Sequence, residues 1–266
     1  KLVKEELDDM ERKGIIERIG DRSVPWCHPM VVQRKPKGGV RITTDLTNLN
    51  SQVQRTIHNS RTPADIMADR TLGDKFFTTL DAKTGYWQVP LAEEAKDLTT
   101  FITPWGRYRY NRCPMGFISG GDSYCLRGDN ALEGLENTKK IVDDILIGNK
   151  SFKENFFATV EVLERCQKHN VTLNPNKFVF AQKRVKFAGF ILTPEGAEAD
   201  PANLRAISEF PKPVNITNLR SFLGIVNQLG TFSSDISAAA TPLRALLKTK
   251  NEFVWTTEHD RAFEAV

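Results

Sequence analysis

Two aspartates, Asp143 and Asp144, stand side by side in IVDDILIGNK, between apolar and β-branched residues that read as the arms of a tight hairpin. Like charges this close repel unless a cation or a proton relieves them. A divalent metal does so most directly, and carboxylate oxygens are hard ligands that select Mg²⁺ or Mn²⁺ over zinc. One further carboxylate at a strand end is the natural complement. Asp81 qualifies, because the apolar run of FFTTLDAKTGYWQ leads straight into it and a turn with Gly85 follows. If adjacent strands of one sheet bring Asp81 to the pair, the three can hold two ions about 3.5–4 Å apart, which stabilises both the attacking and the leaving oxygen of an in-line phosphoryl displacement. The chemistry is then nucleotidyl transfer or phosphodiester cleavage. Taken singly, each motif has a plainer reading, since paired aspartates are often merely solvated in turns.

The elements that must position these groups are legible from pattern. KLVKEELDDMERKG places Leu2, Leu7 and Met10 at helical spacing, with Gly14 as a stop. MVVQRKPKGGVRITTDL reads as a hairpin with a basic tip at Pro36-Lys37-Gly38-Gly39. Thr62 and Pro63 open a helix, followed by the strand KFFTTLDA. TTFITPWGRYRYNRC is a further hairpin, turning at Pro104-Trp105-Gly106. Between Phe117 and Glu136 a helix is expected although Gly120, Gly121, Gly128 and Gly134 interrupt it. SFKENFFATVEVLERCQKHN is an amphipathic helix with Ser151 and Glu154 as a capping box. Strands follow in KFVFAQ and VKFAGFILT. Beyond Asp200 short helices punctuated by prolines take over, which puts a boundary near 195 to 200 between a mixed α/β body and a small helical unit.

At 266 residues with 40% hydrophobic and 26% charged side chains, the chain can bury a full core and is no disordered polymer. No window approaches a membrane-spanning run. The net charge of +4 is compatible with nucleic acid without pointing to it. Basic residues gather beside strand-like sequence, at Arg34, Lys35, Lys37 and Arg41, at Arg107, Arg109 and Arg112, and at Lys183, Arg184 and Lys186. Cys27, Cys113, Cys125 and Cys166 are far apart and lack CxxC spacing, which reads as free thiols in an intracellular reducing compartment. The chain opens on Lys1 and not on Met, and a piece excised from a longer polypeptide is expected.

In order along the chain, several segments resemble the reverse transcriptases of gypsy-type LTR retrotransposons, relatives of retroviral polymerases. RKPKGGVRITTDLTNLN is similar to that family's first fingers motif and TTLDAKTGYWQVPL to its first catalytic motif. TFITPWGRYRYNRCPMGF resembles the segment that ends in its Pro-Phe-Gly-Leu element, and IVDDILIGNK its Tyr-x-Asp-Asp box. VKFAGFILTPEG is similar to its primer grip and LRSFLGIVNQLGTF to its thumb. The resemblance implies an α+β right-hand polymerase fold: fingers with the N-terminal helix over 1–75, palm over 76–94, fingers again over 95–115, palm over 116–195 including the double-Asp hairpin and the primer grip, helical thumb over 196–248. Residues 249–266 resemble the approach to an RNase H domain, and no RNase H activity is expected.

The same resemblance assigns Asp81, Asp143 and Asp144 to two Mg²⁺ or Mn²⁺ ions, with the backbone carbonyl of Ala82 as a further ligand. It gives Tyr86 the task of excluding a ribose 2′ hydroxyl, Arg41 and Lys35 (or Lys37) the triphosphate, and Met115 and Gly116 the nascent base pair of a bound dNTP. Phe187, Ala188, Gly189 and Phe190 become the primer grip, although KFAGFIL also reads as a buried strand. The implied partners are an RNA or DNA template with primer, dNTP substrates and the protease, RNase H and integrase segments of a pol polyprotein, with no membrane. The implied location is a cytoplasmic virus-like particle or the nucleus. The chain departs from the family at Ile141, where Tyr is usual, at Thr47, where Arg is common, and in ISGGDSYCLRGD, where Asn-Ala-Pro and Phe-Gln normally follow. Those departures keep a catalytically silent nucleic-acid-binding remnant as a second reading, and a two-metal nuclease is a third.

Overall fold

A computed structural model describes residues 1–36, 38–68, 73–230, 232–248 and 253–266, so Lys37 lies outside the described residues. Helix α1 (Leu2–Arg12) leads into β1 (Ile16–Arg18), the hairpin of β2 (His28–Arg34) and β3 (Val40–Thr44), and the short helices α2 (Thr47–Asn50) and α3 (Pro63–Ala68). Strand β4 (Phe76–Asp81) precedes α4 (Glu93–Lys96), the hairpin of β5 (Phe101–Thr103) and β6 (Gly106–Tyr110), and α5 (Gly120–Leu132). A third hairpin, β7 (Thr138–Ile141) and β8 (Asp144–Asn149), runs into α6 (Phe152–Lys168). Strands β9 (Val179–Gln182), β10 (Val185–Phe187), β11 (Phe190–Leu192) and β12 (Ala197–Ala199) follow. The chain closes with helices α7 (Pro201–Ser208), α8 (Ile216–Leu229), α9 (Ser234–Ala239), α10 (Thr241–Ala245) and α11 (Thr257–Glu264). Among the described residues the strands form three sheets, ordered β1-β6-β5-β2-β3, β7-β8-β4-β9 and β10-β11-β12. No helix among the described residues is long and apolar enough to cross a membrane.

Two compact units divide the chain, the first made of residues 1–61, 80–147 and 156–178, the second of 62–79, 148–155 and 179–266. In the first, Leu7 and Met10 on one face of α1 pack with Ile16, Ile42, Phe101, Tyr108 and Tyr110 of the five-stranded sheet. Gly14, at φ +66°, ends that helix as the sequence predicts. Strand β1 is too short to show in the periodicity, yet it pairs Ile16 with Tyr110 at the sheet edge. Within this sheet Arg109 is held by Glu17, Glu93 and Asp97 at 2.5–2.8 Å, so this member of a predicted basic cluster is tied up in structure. A second core joins Leu80, Ile145 and Ile147 to Val162 and Cys166 of α6.

In the second unit the caps read from sequence are in place. Thr62 and Asp65 bond reciprocally at the start of α3, and Ser151 and Glu154 do the same for α6. Helix α8 starts at an Asn215 cap and buries Leu219, Phe222, Leu223 and Val226, the i, i+3, i+4, i+7 stripe of an amphipathic helix. Around that stripe lie Ala240, Leu243, Leu246 and Ala262. VKFAGFILT is not one buried strand but two, because Ala188 and Gly189 take positive φ (+49° and +86°) and fold β10 back onto β11 with Phe187 opposite Phe190.

Candidate active site

The site starts from two strand ends. Strand β4 delivers Asp81, and the β7–β8 hairpin turns through Val142 and Asp143 with Ile141 opposite Asp144. The Ala82 amide donates to the Asp143 carbonyl at 2.8 Å, which fixes the two carboxylate-bearing backbones side by side. Val142 takes φ +49°, a left-handed conformation that a β-branched residue avoids and that costs about 1–3 kcal/mol. The strain sits at the turn that presents Asp143.

Segment 171–177 closes the other flank. Lys83 donates to the Thr172 carbonyl at 2.9 Å and Asn174 to the Asp81 carbonyl at 2.8 Å. The Asn174 side chain then caps the single turn Pro175–Lys177, and the Lys177 ammonium meets the Asp81 carboxylate at 2.5 Å. That contact and the charges of Asp143 and Asp144 raise the proton affinity of Lys177. Asp81 is buried, while Asp143 and Asp144 are half-buried. Burial, followed by the charge of Asp81, pushes the Asp144 carboxyl above the usual range; burial also pushes Asp143 up, against a hydrogen bond from Tyr124.

The structure therefore brings Asp81, Asp143 and Asp144 within one another's electrostatic field, with the Lys177 ammonium paired to Asp81. Donor type and charge suit a hard divalent cation: three carboxylates, two of them disfavoured as bare anions. As the side chains stand, no group of three or more Asp, Glu, His or Cys residues among the described residues is close enough to hold a metal ion. The ligand set is thus open, and Lys177 is the cation that answers Asp81.

The other predicted site residues fall as follows. Ala82 is buried at the end of β4. Tyr86 is half-buried, its ring 5.9 Å from that of Tyr124, and burial raises its phenol. Arg41 is exposed on β3 opposite Gln33. Lys35 is exposed and bonds Glu6 at 3.1 Å. Met115 is half-buried, and Gly116 is exposed with φ +93°. Asn50 clamps their turn, its side chain donating to the Gly116 carbonyl at 2.8 Å and accepting from the Ile118 amide at 3.0 Å. Phe187, Ala188, Gly189 and Phe190 form the β10–β11 turn of the second unit, with both phenylalanines buried.

Sequence reasoning passed over Lys177, Tyr124 and Asn50. The Asn-Pro pair before Lys177 is a cap signal, but nothing local says that the turn it starts abuts Asp81. In the sequence Gly85 shows only as a turn residue. Its hydrogen in fact faces the site: a Cβ there would lie 2.6 Å from Asp143 Oδ1 and 2.7 Å from Tyr124 Cζ.

Residues 33–192 match the family model for reverse transcriptase (RNA-dependent DNA polymerase). The retrovirus-related Pol polyproteins of transposons opus and gypsy from Drosophila melanogaster are 31% and 32% identical over 92% and 94% of this chain, which covers 25% and 24% of their lengths. The transposon Tf2-3 polyprotein of Schizosaccharomyces pombe is 28% identical over 99% of the chain and 20% of its own length. The chain thus spans about a quarter or less of the curated relatives it matches. Among solved structures, the foamy viral protease-reverse transcriptase dRH in complex with ds DNA aligns with a TM-score of 0.86 at 22% identity, over 98% of this chain and 46% of that one. The same enzyme in complex with an RNA/DNA hybrid aligns at 0.83 and 21%, over 98% of this chain and 35% of that one. At these identities the likeness is one of fold, and it agrees with the mixed α/β polymerase architecture expected from the sequence.

Proposed function

The chain belongs to the reverse transcriptase family, related to the pol polyproteins of gypsy-like LTR retrotransposons, and on that premise we propose that it performs template-directed DNA synthesis on RNA and DNA templates. The observation that carries this reading is the union of Asp81 with the Asp143-Asp144 hairpin through the Ala82 amide. Asp81, Asp143 and Asp144, with the Ala82 carbonyl, would hold two Mg²⁺ or Mn²⁺ ions. When bound, the ions supply positive charge at the attacking and leaving oxygens of the phosphoryl transfer.

The chain's own residues do the rest. The primer 3′ hydroxyl gives up its proton to solvent, its oxygen bonds to the α-phosphorus of a dNTP, and the bond from that phosphorus to the oxygen bridging to the β-phosphate breaks, releasing pyrophosphate. Arg41 and Lys35 neutralise the triphosphate, as guanidinium and ammonium groups suit phosphate oxygens. Lys35 must leave Glu6 to do so. Tyr86 sets an aromatic plate under the sugar that leaves no room for a 2′ hydroxyl. Met115 and Gly116 line the nascent pair, and the turn Phe187–Phe190 grips the primer. The assignment of fingers to 1–75 and 95–115, palm to 76–94 and 116–195 and thumb to 196–248 belongs to this same proposal. So do the protease, RNase H and integrase partners and a cytoplasmic virus-like particle, which the four free thiols suit.

Primer extension on a homopolymer RNA template with Mg²⁺ or Mn²⁺ tests the reading. Incorporation by the wild type that is lost in Asp143→Asn supports it. Incorporation that persists unchanged in the variant removes the assigned site, and no incorporation by either protein favours the silent remnant.

A further inference from the structure

Tyr124 lies on α5, inside the segment that departs from the family's usual sequence, and it is 5% exposed. Its hydroxyl-bearing carbon Cζ and Asp143 Oδ1 border the same gap above Gly85, and after burial the Asp143 carboxylate beside it holds the phenol above its usual range. This juxtaposition is built from three sides. Beneath, Gly85 approaches so closely that a Cβ would stand 2.7 Å from Tyr124 Cζ, 2.9 Å from Cε1 and 2.6 Å from Asp143 Oδ1. Only a hydrogen fits there, so the hydroxyl-bearing end of the ring and the carboxylate share the space that Gly85 leaves. To one side stands the Tyr86 ring, 5.9 Å away at an interplanar angle of 53°. Ala82 and Cys125 complete the apolar cluster in which the ring is buried.

A buried, well-packed phenol has one rotamer and a fixed hydroxyl position. Asp143, by contrast, is half-buried on a hairpin turn, where its own backbone does little to choose among its side-chain rotamers. A single donor occupies one of the roughly four lone-pair sites of a carboxylate and leaves the others free for a ligand. This is the relation in which outer hydrogen-bond partners orient a metal-binding group.

We propose that Tyr124 is a positioning residue, its hydroxyl fixing the Asp143 carboxylate over Gly85 in the orientation in which it binds a divalent cation. The inference rests on the reading of Asp81, Asp143 and Asp144 as the metal site. It assigns α5 a task beyond packing: the segment that departs from the family carries a polar support for the hairpin carboxylate.

The test uses the full chain and Mn²⁺ alone, titrated by calorimetry and by the electron paramagnetic resonance of free Mn²⁺, with no nucleic acid present. Tyr124→Phe keeps the ring and removes the donor. Tyr110→Phe, which loses another buried hydroxyl, one bonded to Thr44 at 3.3 Å, is the control for a merely structural effect. Tyr124→Phe should weaken Mn²⁺ binding roughly ten-fold. Tyr110→Phe should leave it unchanged. In primer extension Tyr124→Phe should lower kcat at fixed Mn²⁺ without raising the KM for dNTP, and excess Mn²⁺ should restore the rate. An Mn²⁺ affinity for Tyr124→Phe within two-fold of wild type, while Asp143→Asn loses binding, overturns the role of Tyr124 and leaves the metal site standing. If Asp143→Asn binds Mn²⁺ as tightly as wild type, the metal site itself falls and the role of Tyr124 with it.

Discussion

Adding one methyl group to Gly85 should displace the hairpin carboxylate. Alanine at this position puts its Cβ 2.6 Å from Asp143 Oδ1, where ordinary contact begins at 3.4 Å, so the oxygen or the methyl must move by about 0.8 Å. The other neighbour, Tyr124 Cζ at 2.7 Å, belongs to a buried ring. Overpacking of this kind costs about 1–3 kcal/mol. At about 2–4 °C per kcal/mol for a chain of this size, the unfolding midpoint should fall by several degrees while the fold survives. A misplacement approaching 1 Å at a reacting centre costs about 10²-fold in rate, so primer extension should drop by roughly that factor. The assay pairs thermal unfolding by circular dichroism with single-nucleotide incorporation at saturating dNTP. A variant with wild-type incorporation, or one whose loss is fully explained by unfolding, would refute the idea that Gly85 clears room for Asp143.

Further predictions concern charge and the helical unit. Lys177→Gln removes the ammonium that answers Asp81. Since Lys177 is bound more tightly to its proton in the folded state, its contribution is complete at neutral pH and fades only above the ordinary lysine range, so the midpoint of the metal-free variant should be lower at pH 7 and the rise on adding Mg²⁺ larger than in wild type. Asp144 has the same sign in a lower pH window: burial raises its folded-state pKa, so what it contributes is present at low pH and lost as pH rises through that raised value, leaving the ionised carboxylate a liability at pH 7. Metal-free Asp144→Asn should therefore unfold at a higher temperature than wild type at pH 7, with the gap closing as pH falls into the carboxylate range and reversing when Mg²⁺ is added. Gly224, inside α8 with no atom within 4 Å of where a Cβ would stand, should tolerate alanine and gain about 0.8–1 kcal/mol, read as a higher unfolding midpoint with unchanged incorporation.

Much of the fold follows from local rules that the chain states openly. The Ser151–Glu154 box, the Thr62 cap and the Gly14 stop are each decided within a few residues, and each is found where the pattern puts it. The Asp143-Asp144 turn and the strand into Asp81 are also local signals. What a single strand cannot state is its neighbour. Strand β1 spans three residues and gains its place only by pairing with β6, and β12 likewise only by pairing with β11. Lys177 reaches Asp81 because residues 171–174 bond along the end of β4, a pairing between segments far apart in the chain. Tyr124 and Gly85 are ordinary helix and turn residues in the sequence. Their meaning comes from a gap that only a hydrogen can fill, and a gap is a property of three segments at once.

Crystals of the chain soaked with Mn²⁺ and imaged by anomalous scattering at the manganese edge put the metal site to its most direct test. The account predicts a peak bonded to oxygens of Asp81 and of the Asp143-Asp144 hairpin at about 2.0–2.2 Å, with the Lys177 ammonium withdrawn from Asp81. A map with no manganese between these carboxylates, and with Lys177 still paired to Asp81 at saturating metal, would contradict it.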